Sequence, residues 1–138
     1  VYLELSAADM DKLKLLQTEV LTELIRSKLN VDRLLLRQKQ GFMCIEEALS
    51  DAGLAVPDID MFVLHQANAR IIDAVAKRLH ADRDKFPTNL ERVGNMSSAS
   101  IPVLLDELHR QGKLHCGDRI VLAGFGAGLT IGACVMTW

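Results

Sequence analysis

Aromatic residues are scarce in this chain: they make up 4% of its 138 residues, with one tryptophan and one tyrosine. Binding platforms for single-stranded nucleic acid stack bases on such rings, so their scarcity argues against that class of protein. The chain carries 16 lysines and arginines against 18 aspartates and glutamates, a formal net charge of −2. A nucleic-acid-binding domain normally has a clear basic excess, and we therefore expect no nucleic-acid partner.

Long apolar runs are also missing. None approaches the roughly 20 residues that a membrane-spanning helix needs, so we expect no membrane segment. The opening residues contain Glu4, Asp9 and Asp11 and no long apolar core, which is not the pattern of a signal peptide. The chain begins at Val1 rather than at a methionine. Whether it is a fragment or a natural short subunit stays open.

Cysteine is sparse, and Cys44, Cys116 and Cys134 lie far apart. No CxxC pair exists and the histidines share no metal-ligand spacing, so we expect no metal site. Unpaired thiols fit a reducing compartment, and we expect a cytoplasmic protein. At 49% apolar and 25% charged residues, the composition is that of an ordinary domain that can bury one core.

Hydrophobic periodicity divides the chain into two parts. Residues 1–57 read as a helical lead-in segment, with helical spacing over 7–29 and 33–52. Gly41 interrupts the second stretch, so two helices are possible there, and Gly53 suits a C-cap. Residues 58–138 alternate short apolar runs with helical patterns, which predicts an α/β domain. The first expected elements are a strand at 61–64 and a helix after His65. A helical turn at 81–86 and an extended or irregular stretch at 88–92 follow. The domain is expected to end with a helix at 97–111 and strands at 119–123 and 131–136.

Three short stretches of this domain carry polar residues at structural junctions. His65 ends an apolar run, and Asn68 then suits the N-cap of a helix. Ligands of open α/β sheets bind at the carboxyl ends of strands, where this imidazole would lie. Residues 94–100 repeat the form of a glycine turn, a polar tip and a helix, while 124–130 form a glycine-rich loop. A lone histidine is more often structural, and a lone asparagine beside glycine more often a turn residue; the three stretches together favour a site.

The three stretches also resemble a known family. His-Gln-Ala-Asn-x-Arg-Ile from His65, Gly-Asn-x-Ser-x-Ala-Ser-Ile-Pro from Gly94 and Gly-Phe-Gly-x-Gly-Leu-Thr from Gly124 are similar, in this order, to the carboxyl-terminal half of β-ketoacyl-acyl carrier protein synthase III. The resemblance covers residues 58–138. It implies one half of a thiolase-like fold, with a mixed sheet covered by helices.

The resemblance implies an acyltransferase of fatty acid synthesis. Members condense acyl-CoA with malonyl carrier protein in a decarboxylative Claisen reaction, with those substrates and no separate cofactor. Their active triad is cysteine, histidine and asparagine, and His65 and Asn95 match the last two. Imidazole and amide N–H groups would both donate to the enolate oxygen. In the loop Gly126, Ala127 and Gly128, the Ala127 N–H would help to hold the thioester carbonyl oxygen.

The nucleophilic cysteine of that family has no counterpart in this chain. Cys44 falls within an apolar helical face, where a thiol is usually inert, and Cys116 and Cys134 read as structural. We therefore expect the chain to be inactive alone. Activity would need the missing amino-terminal half or a partner chain, and the complete enzyme would be a homodimer.

A carrier-protein surface is the other implication of the resemblance. In the family the positions that match Gln66, Ala67, Asn68, Ala69 and Arg70 bind the carrier protein. Carrier protein is acidic, and Lys77 and Arg78 extend the cationic side of the same helix, so they are included in the predicted surface. Asp106 and Glu107, by contrast, are interpreted as solvated residues of the later helix.

Two alternatives stay open. The Gly-Asn-Met-Ser-Ser-Ala stretch at 94–99 also resembles chalcone-synthase-like polyketide synthases, which share the triad. The absent cysteine favours a different class, a non-catalytic half-thiolase subunit that binds a carrier protein or a catalytic partner, whereas the intact His65 and Asn95 disfavour it. Ile131 stands where the family often has tryptophan, so the sequence does not fix the shape of the acyl pocket or the chain-length preference.

Overall fold

The computed structural model describes residues 42–125 and 130–138. The helix predicted at 7–29, residues 33–41 of the helix predicted at 33–52, and the loop residues Gly126, Ala127 and Gly128 lie outside the described residues. The described elements are α1 (42–51), β1 (Met61–Leu64), α2 (Ala69–Arg78), α3 (Leu90–Val93), α4 (Ser100–Arg110), β2 (Arg119–Phe125) and β3 (Ile131–Thr137). Short 3₁₀ turns cover Val56–Asp58, Arg83–Lys85 and Ser97–Ala99.

The strands form a mixed sheet in the order β1-β2-β3, as the resemblance implied. β1 and β2 run parallel, with Leu64 opposite Ala123. β2 and β3 run antiparallel, with Phe125 opposite Ile131. The carboxyl ends of β1 and β2 and the start of β3 therefore meet at one edge of the sheet.

Helix α4 covers one face of the sheet. Leu104 and Leu108 of this helix pack with Val63 and Ile120 of the strands in one buried cluster. The consecutive residues Phe62, Val63 and Leu64 are all buried, so β1 is covered on both of its faces. The ring of Phe62 stacks on that of Phe86, with centroids 4.6 Å apart. β3 differs, because its residues alternate between partly buried and exposed.

The helix predicted after His65 is confirmed as α2. Asn68 is the N-cap, and its side-chain oxygen accepts a hydrogen bond from the backbone N–H of Arg70 at 2.9 Å. The apolar arc that the periodicity predicts is the buried face of α2. Its members are Ile71, Ile72, Val75, Ala76 and Leu79.

The prediction of an extended or irregular stretch at 88–92 is wrong. Residues Leu90–Val93 form the short helix α3, in which the carbonyl of Asn89 accepts from the N–H groups of Arg92 and Val93 at 3.0 and 3.1 Å. A helix of four residues is too short to show a 3.6-residue period in the sequence. The predicted helix at 97–111 is confirmed as α4, although its first three residues form a 3₁₀ turn.

Residues ahead of the predicted domain boundary share its core. Ile45 and Leu49 of α1 are buried, with exposed fractions of 0% and 3%. The boundary at residue 58 itself stays a prediction. In the described ranges, no helix combines the length and the apolar character that a membrane crossing requires.

Candidate active site

A cleft of about 380 Å³ lies where the ends of β1 and β2 meet the start of β3. Three chain segments and the amino-terminal end of α4 surround it. Its lining residues are His65, Ser97, Ser98, Ile101, Gly124, Phe125, Thr130, Ile131 and Gly132. The location is the one predicted for His65, at the carboxyl end of parallel strands.

His65 is fixed to the sheet by its backbone. Its N–H donates to the carbonyl oxygen of Ala123 at 2.8 Å, and its own carbonyl accepts from the N–H of Ala67 at 2.9 Å. The side chain is partly buried, and this burial lowers the pKa of the imidazole below its ordinary value. The imidazole is therefore neutral near pH 7 and carries one N–H donor, as the sequence prediction requires.

Asn95 occupies the polar tip of the second stretch, after Gly94 with its φ of 66°. Its side-chain oxygen accepts from the backbone N–H of Ser97 at 2.9 Å. An N–H donor selects the oxygen of the amide, so the NH₂ group of Asn95 is directed away from Ser97 and keeps its donors. Asn95 is exposed and is not among the cleft-lining residues, whereas its neighbours Ser97 and Ser98 are.

The glycine-rich loop has both of its described flanks in the cleft. Gly126, Ala127 and Gly128 themselves lie outside the described residues, so their predicted role stays a prediction. Phe125 before the loop and Thr130 after it both line the cleft. Ile131, at the start of β3, lines the cleft too.

The predicted carrier-protein surface is largely exposed. Ala69, Arg70, Lys77 and Arg78 of α2 are exposed, as is Asn68, while Ala67 is partly buried. Arg70 and Lys77 are seven residues apart and share one side of the helix. The guanidinium group of Arg78 lies 4.9 Å from the centre of the Phe42 ring, a cation–π contact.

Gln66 departs from that surface set. It is 0% exposed, and its side chain donates to the carbonyl of Leu64 at 2.9 Å and accepts from the N–H of Asn89 at 3.3 Å. A fully buried side chain offers no area to a docking protein, so the structure argues against direct carrier-protein contact by Gln66. The resemblance placed Gln66 among the carrier-protein-binding positions, but two internal hydrogen bonds satisfy its amide inside the protein.

Glu107 is a second residue whose position the sequence did not reveal. Its carboxylate accepts from the Asn89 amide at 3.1 Å and from Arg92 at 2.6 Å, and its side chain is 21% exposed. The interpretation as a solvated residue is therefore wrong for Glu107. Asp106 is exposed, as the sequence predicted, and its carboxylate pairs with Arg110 at the surface. The hydrogen-bond partners of Glu107 are distant in sequence and leave no periodic signal, so the sequence pattern could not indicate that Glu107 is partly buried.

The cysteines do not line the cleft. Cys44 is partly buried, and burial, followed by the nearby carboxylate of Glu47, raises the pKa of its thiol. A raised pKa lowers the thiolate fraction and hence the reactivity of a cysteine. Cys116 and Cys134, which the sequence placed as structural, are both exposed. Within residues 42–125 and 130–138, no cluster of three or more metal-ligating side chains is found.

The fold is that of thiolase-like condensing enzymes. The chain superposes on 3-oxoacyl-(acyl carrier protein) synthase III from Pseudomonas aeruginosa PAO1 with a TM-score of 0.76 and 37% identity, over 79% of this chain and 34% of that one. The Thermus thermophilus β-ketoacyl-[acyl carrier protein] synthase III gives a TM-score of 0.73 and 43% identity, over 76% of this chain and 33% of that one.

Sequence comparison narrows this class to one family. Residues 49–138 match the family described as 3-oxoacyl-[acyl-carrier-protein (ACP)] synthase III C terminal, and the chain belongs to it. It is 55% identical over 92 residues to the β-ketoacyl-[acyl-carrier-protein] synthase III of Desulfitobacterium hafniense, and 56% identical over 91 residues to that of Clostridioides difficile.

The match covers only part of the relatives. It takes in 67% of this chain but 28% of the Desulfitobacterium hafniense protein. For Clostridioides difficile the two shares are 66% and 28%. This chain thus spans less than a third of the length of these relatives.

Proposed function

We propose that this chain supplies the carboxyl-terminal half of the active site of a β-ketoacyl-acyl carrier protein synthase III. The complete site would join acyl-CoA to malonyl carrier protein in a decarboxylative Claisen condensation. The observation that carries the proposal is the placement of a neutral His65 at the sheet edge, in a cleft that the second and third motifs also border.

The reaction divides into two halves. A cysteine thiolate, supplied from outside this chain's cleft, attacks the acyl-CoA thioester and releases coenzyme A. The malonyl thioester then loses CO₂, which leaves an enolate. The enolate carbon attacks the acyl group, forms the new carbon–carbon bond and expels the cysteine thiolate. The charge that develops on the enolate oxygen during loss of CO₂ is what a condensing site must stabilise.

His65 and Asn95 are the proposed donors to that oxygen. The neutral imidazole of His65 offers an N–H, and the Asn95 amide, turned by its bond to the Ser97 N–H, offers a second. Neutral donors stabilise the enolate without first protonating it. Each would act mainly in the second half-reaction, because the enolate does not exist in the first.

The exposed cations of α2 support carrier-protein docking. Arg70 and Lys77 lie on the solvent side of a helix whose amino terminus follows His65 by a few residues. A cationic rim attracts an acidic partner and guides its phosphopantetheine arm. We assign this docking to Arg70, Lys77 and Arg78, with Asn68 and Ala69 at the start of the same helix.

The proposal is tested in a chimera in which residues 49–138 replace the matching segment of the Clostridioides difficile relative. His65→Ala should reduce CO₂ release from malonyl carrier protein by about 10²–10³-fold, the usual effect of removing one such donor. Acylation of the chimera's cysteine by acetyl-CoA should change far less. Undiminished CO₂ release in the His65→Ala chimera would refute the donor role.

A non-catalytic half-thiolase subunit is the second candidate function. The observation that favours it is that no cysteine lines the cleft in the described part of the chain. Such a subunit would still dock a carrier protein through α2 but would leave the chemistry to a partner. An inactive chimera that folds and binds carrier protein would support this candidate. The homodimeric assembly and the cytoplasmic location of the complete enzyme stay predictions.

A further inference from the structure

A chain of buried polar groups begins next to His65. Gln66 and Asn89 are both 0% exposed. The Nε2 group of Gln66 donates to the carbonyl of Leu64 at 2.9 Å, and its Oε1 accepts from the backbone N–H of Asn89 at 3.3 Å. This side chain thus ties the end of β1 to the start of α3.

The chain of contacts continues to α4. The Nδ2 group of Asn89 donates to Oε2 of Glu107 at 3.1 Å, and an Nη of Arg92 donates to the same oxygen at 2.6 Å. Three segments that are far apart in sequence are therefore joined by one set of hydrogen bonds. We refer to the buried Gln66 and Asn89, together with the partly buried Glu107 and the exposed Arg92, as the polar network.

The backbone around His65 is hydrogen-bonded both to the sheet and to Gln66 of this network. Its N–H is bonded to Ala123 and its carbonyl to the N–H of Ala67, while Gln66 bonds the carbonyl of Leu64 just before it. Removing the Gln66 amide would leave the Leu64 carbonyl without this donor and free the turn after His65. The backbone that carries the imidazole would then lose one of its three anchors.

The same network holds the segment that leads to Asn95. Asn89 is the N-cap residue of α3, and its carbonyl accepts from the N–H of Val93 at 3.1 Å. The helix ends at Gly94, whose N–H bonds the carbonyl of Leu90 at 2.9 Å. Asn95 follows immediately, so its position depends on where Asn89 is anchored.

One atom of Asn89 indicates that this residue has a role other than stabilising the fold. Its buried Oδ1 has no hydrogen-bond partner among the described residues. A buried polar atom without a partner is destabilising, and an apolar residue at this place would avoid the cost. The side-chain Nδ2 group of Asn89 bonds Glu107, which an apolar side chain would not do, while its backbone N–H would bond Gln66 whatever the side chain.

We propose that Gln66 and Asn89 are positioning residues that hold His65 and Asn95 in a fixed relation to each other, through hydrogen bonds to Leu64 and Glu107. The proposal rests on the donor role assigned above to His65 and Asn95. It also reassigns Gln66 from the docking surface to the support of the site.

Hydrogen–deuterium exchange of the full chain, read by mass spectrometry, tests the network directly. Gln66→Met keeps the side-chain volume but removes both hydrogen bonds. It should speed exchange at the N–H groups of His65 and Ala67 by about tenfold, the effect of losing a buried hydrogen bond. Amides in the middle of β2 should exchange as in the parent. A uniform rise across the chain, or no change near His65, would overturn the proposal.

Two variants of Glu107 test the same network if Gln66→Met does not fold. Glu107→Gln retains an oxygen that accepts from Asn89, whereas Glu107→Met does not. The methionine variant should speed exchange in both the 64–67 and 89–95 segments, and the glutamine variant should change it by less than about twofold. Asp106→Asn removes an exposed ion pair from the same helix and serves as the control. Equal effects of all three variants would contradict the network.

Two readouts separate this proposal from the catalytic one. Exchange at the C2 hydrogen of histidine, followed across pH, reports the pKa of His65, and Gln66→Met should move it upward toward the ordinary value as the ring gains water. These measurements need no activity. If His65 loses its fixed environment in Gln66→Met while His65→Ala leaves CO₂ release of the chimera unchanged, the donor role is overturned and the positioning network is supported.

Discussion

The side-chain oxygen of Asn95 accepts a hydrogen bond from the backbone N–H of Ser97 at 2.9 Å. This bond determines which end of the amide is available to a substrate. It also stabilises a turn in which Ser97 has a φ of 54°, a left-handed conformation that is uncommon for a serine. Asn95 therefore has a conformational role and a proposed catalytic role, and one substitution separates them.

Asn95→Asp should preserve the turn and remove the donor. A carboxylate still accepts from the Ser97 N–H but has no N–H of its own. In the chimera with the Clostridioides difficile relative, we expect CO₂ release to fall about 10²–10³-fold while cysteine acylation stays close to the parent value. The two half-reactions are measured separately with labelled malonyl carrier protein and labelled acetyl-CoA.

Asn95→Ala is the comparison for that experiment. It loses both the turn bond and the donor, so it should be less stable than Asn95→Asp in thermal unfolding, by about 1 kcal/mol. If the aspartate variant retained full CO₂ release, the amide N–H would have no part in the reaction.

Stability should depend on pH through His65. Burial lowers its pKa in the folded chain, whereas the unfolded chain has the ordinary value of about 6.5. The unfolded state therefore binds the proton more readily, and the stability present above about pH 6.5 is lost as pH falls through the folded pKa. We expect the urea midpoint of the parent to fall more steeply than that of His65→Gln between about pH 7.5 and pH 5. Parallel curves would show that His65 titrates alike in both states.

The cationic side of α2 should distinguish the two substrates. Arg70→Glu is expected to lower kcat/KM for malonyl carrier protein roughly threefold to tenfold at low salt, because a rim charge acts mainly on association. Use of acetyl-CoA should stay nearly unchanged, and added salt should shrink the difference. Arg110→Glu makes the same charge change at the far end of α4 and should affect neither substrate. An equal loss with both substrates would indicate damage to the fold or the cleft.

The isolated chain should not become acylated. The pKa of the Cys44 thiol is raised by burial, and neither Cys116 nor Cys134 lines the cleft. Incubation with labelled acetyl-CoA followed by mass spectrometry should therefore show no stable thioester and no condensation product. A thioester that disappears in Cys44→Ser would contradict this expectation and identify a nucleophile within the chain.

The contact between α4 and the sheet should be a large part of the stability. Leu104 is 2% exposed and packs in the cluster with Val63 and Ile120. Leu104→Ala should reduce the free energy of unfolding by about 2–5 kcal/mol, the range for truncating a buried leucine. Urea denaturation measures it. Pro102→Ala, which changes an exposed residue of the same helix, should have a much smaller effect.

Local signals were sufficient for much of the fold. The apolar run at 61–64, the N-cap Asn68 and the buried arc of α2 were predictable because each depends on neighbouring residues alone. The position of His65 followed from the strand that it ends. Helix α3 was not predictable in the same way, since its four residues are too few for a period.

The contacts of the residues that support the site could not be predicted from local sequence patterns. The resemblance placed Gln66 in the docking surface, whereas its side chain is buried and bonds Asn89, which is 23 positions away. Glu107 likewise depends on Asn89, across 18 positions. Such pairings are a property of the tertiary fold. The sequence could therefore locate the proposed donors but not the groups that fix them.

The parallel pairing of β1 with β2 has a consequence for how the cleft comes into being. The bond between the N–H of His65 and the carbonyl of Ala123 closes a loop that contains α2, α3 and α4. Contacts between residues so distant in sequence form late, after local helices have reduced the entropy of the intervening chain. During synthesis His65 would leave the ribosome well before the strand that completes its surroundings. The cleft is thus assembled only when β2 has emerged, and it appears together with the core rather than ahead of it.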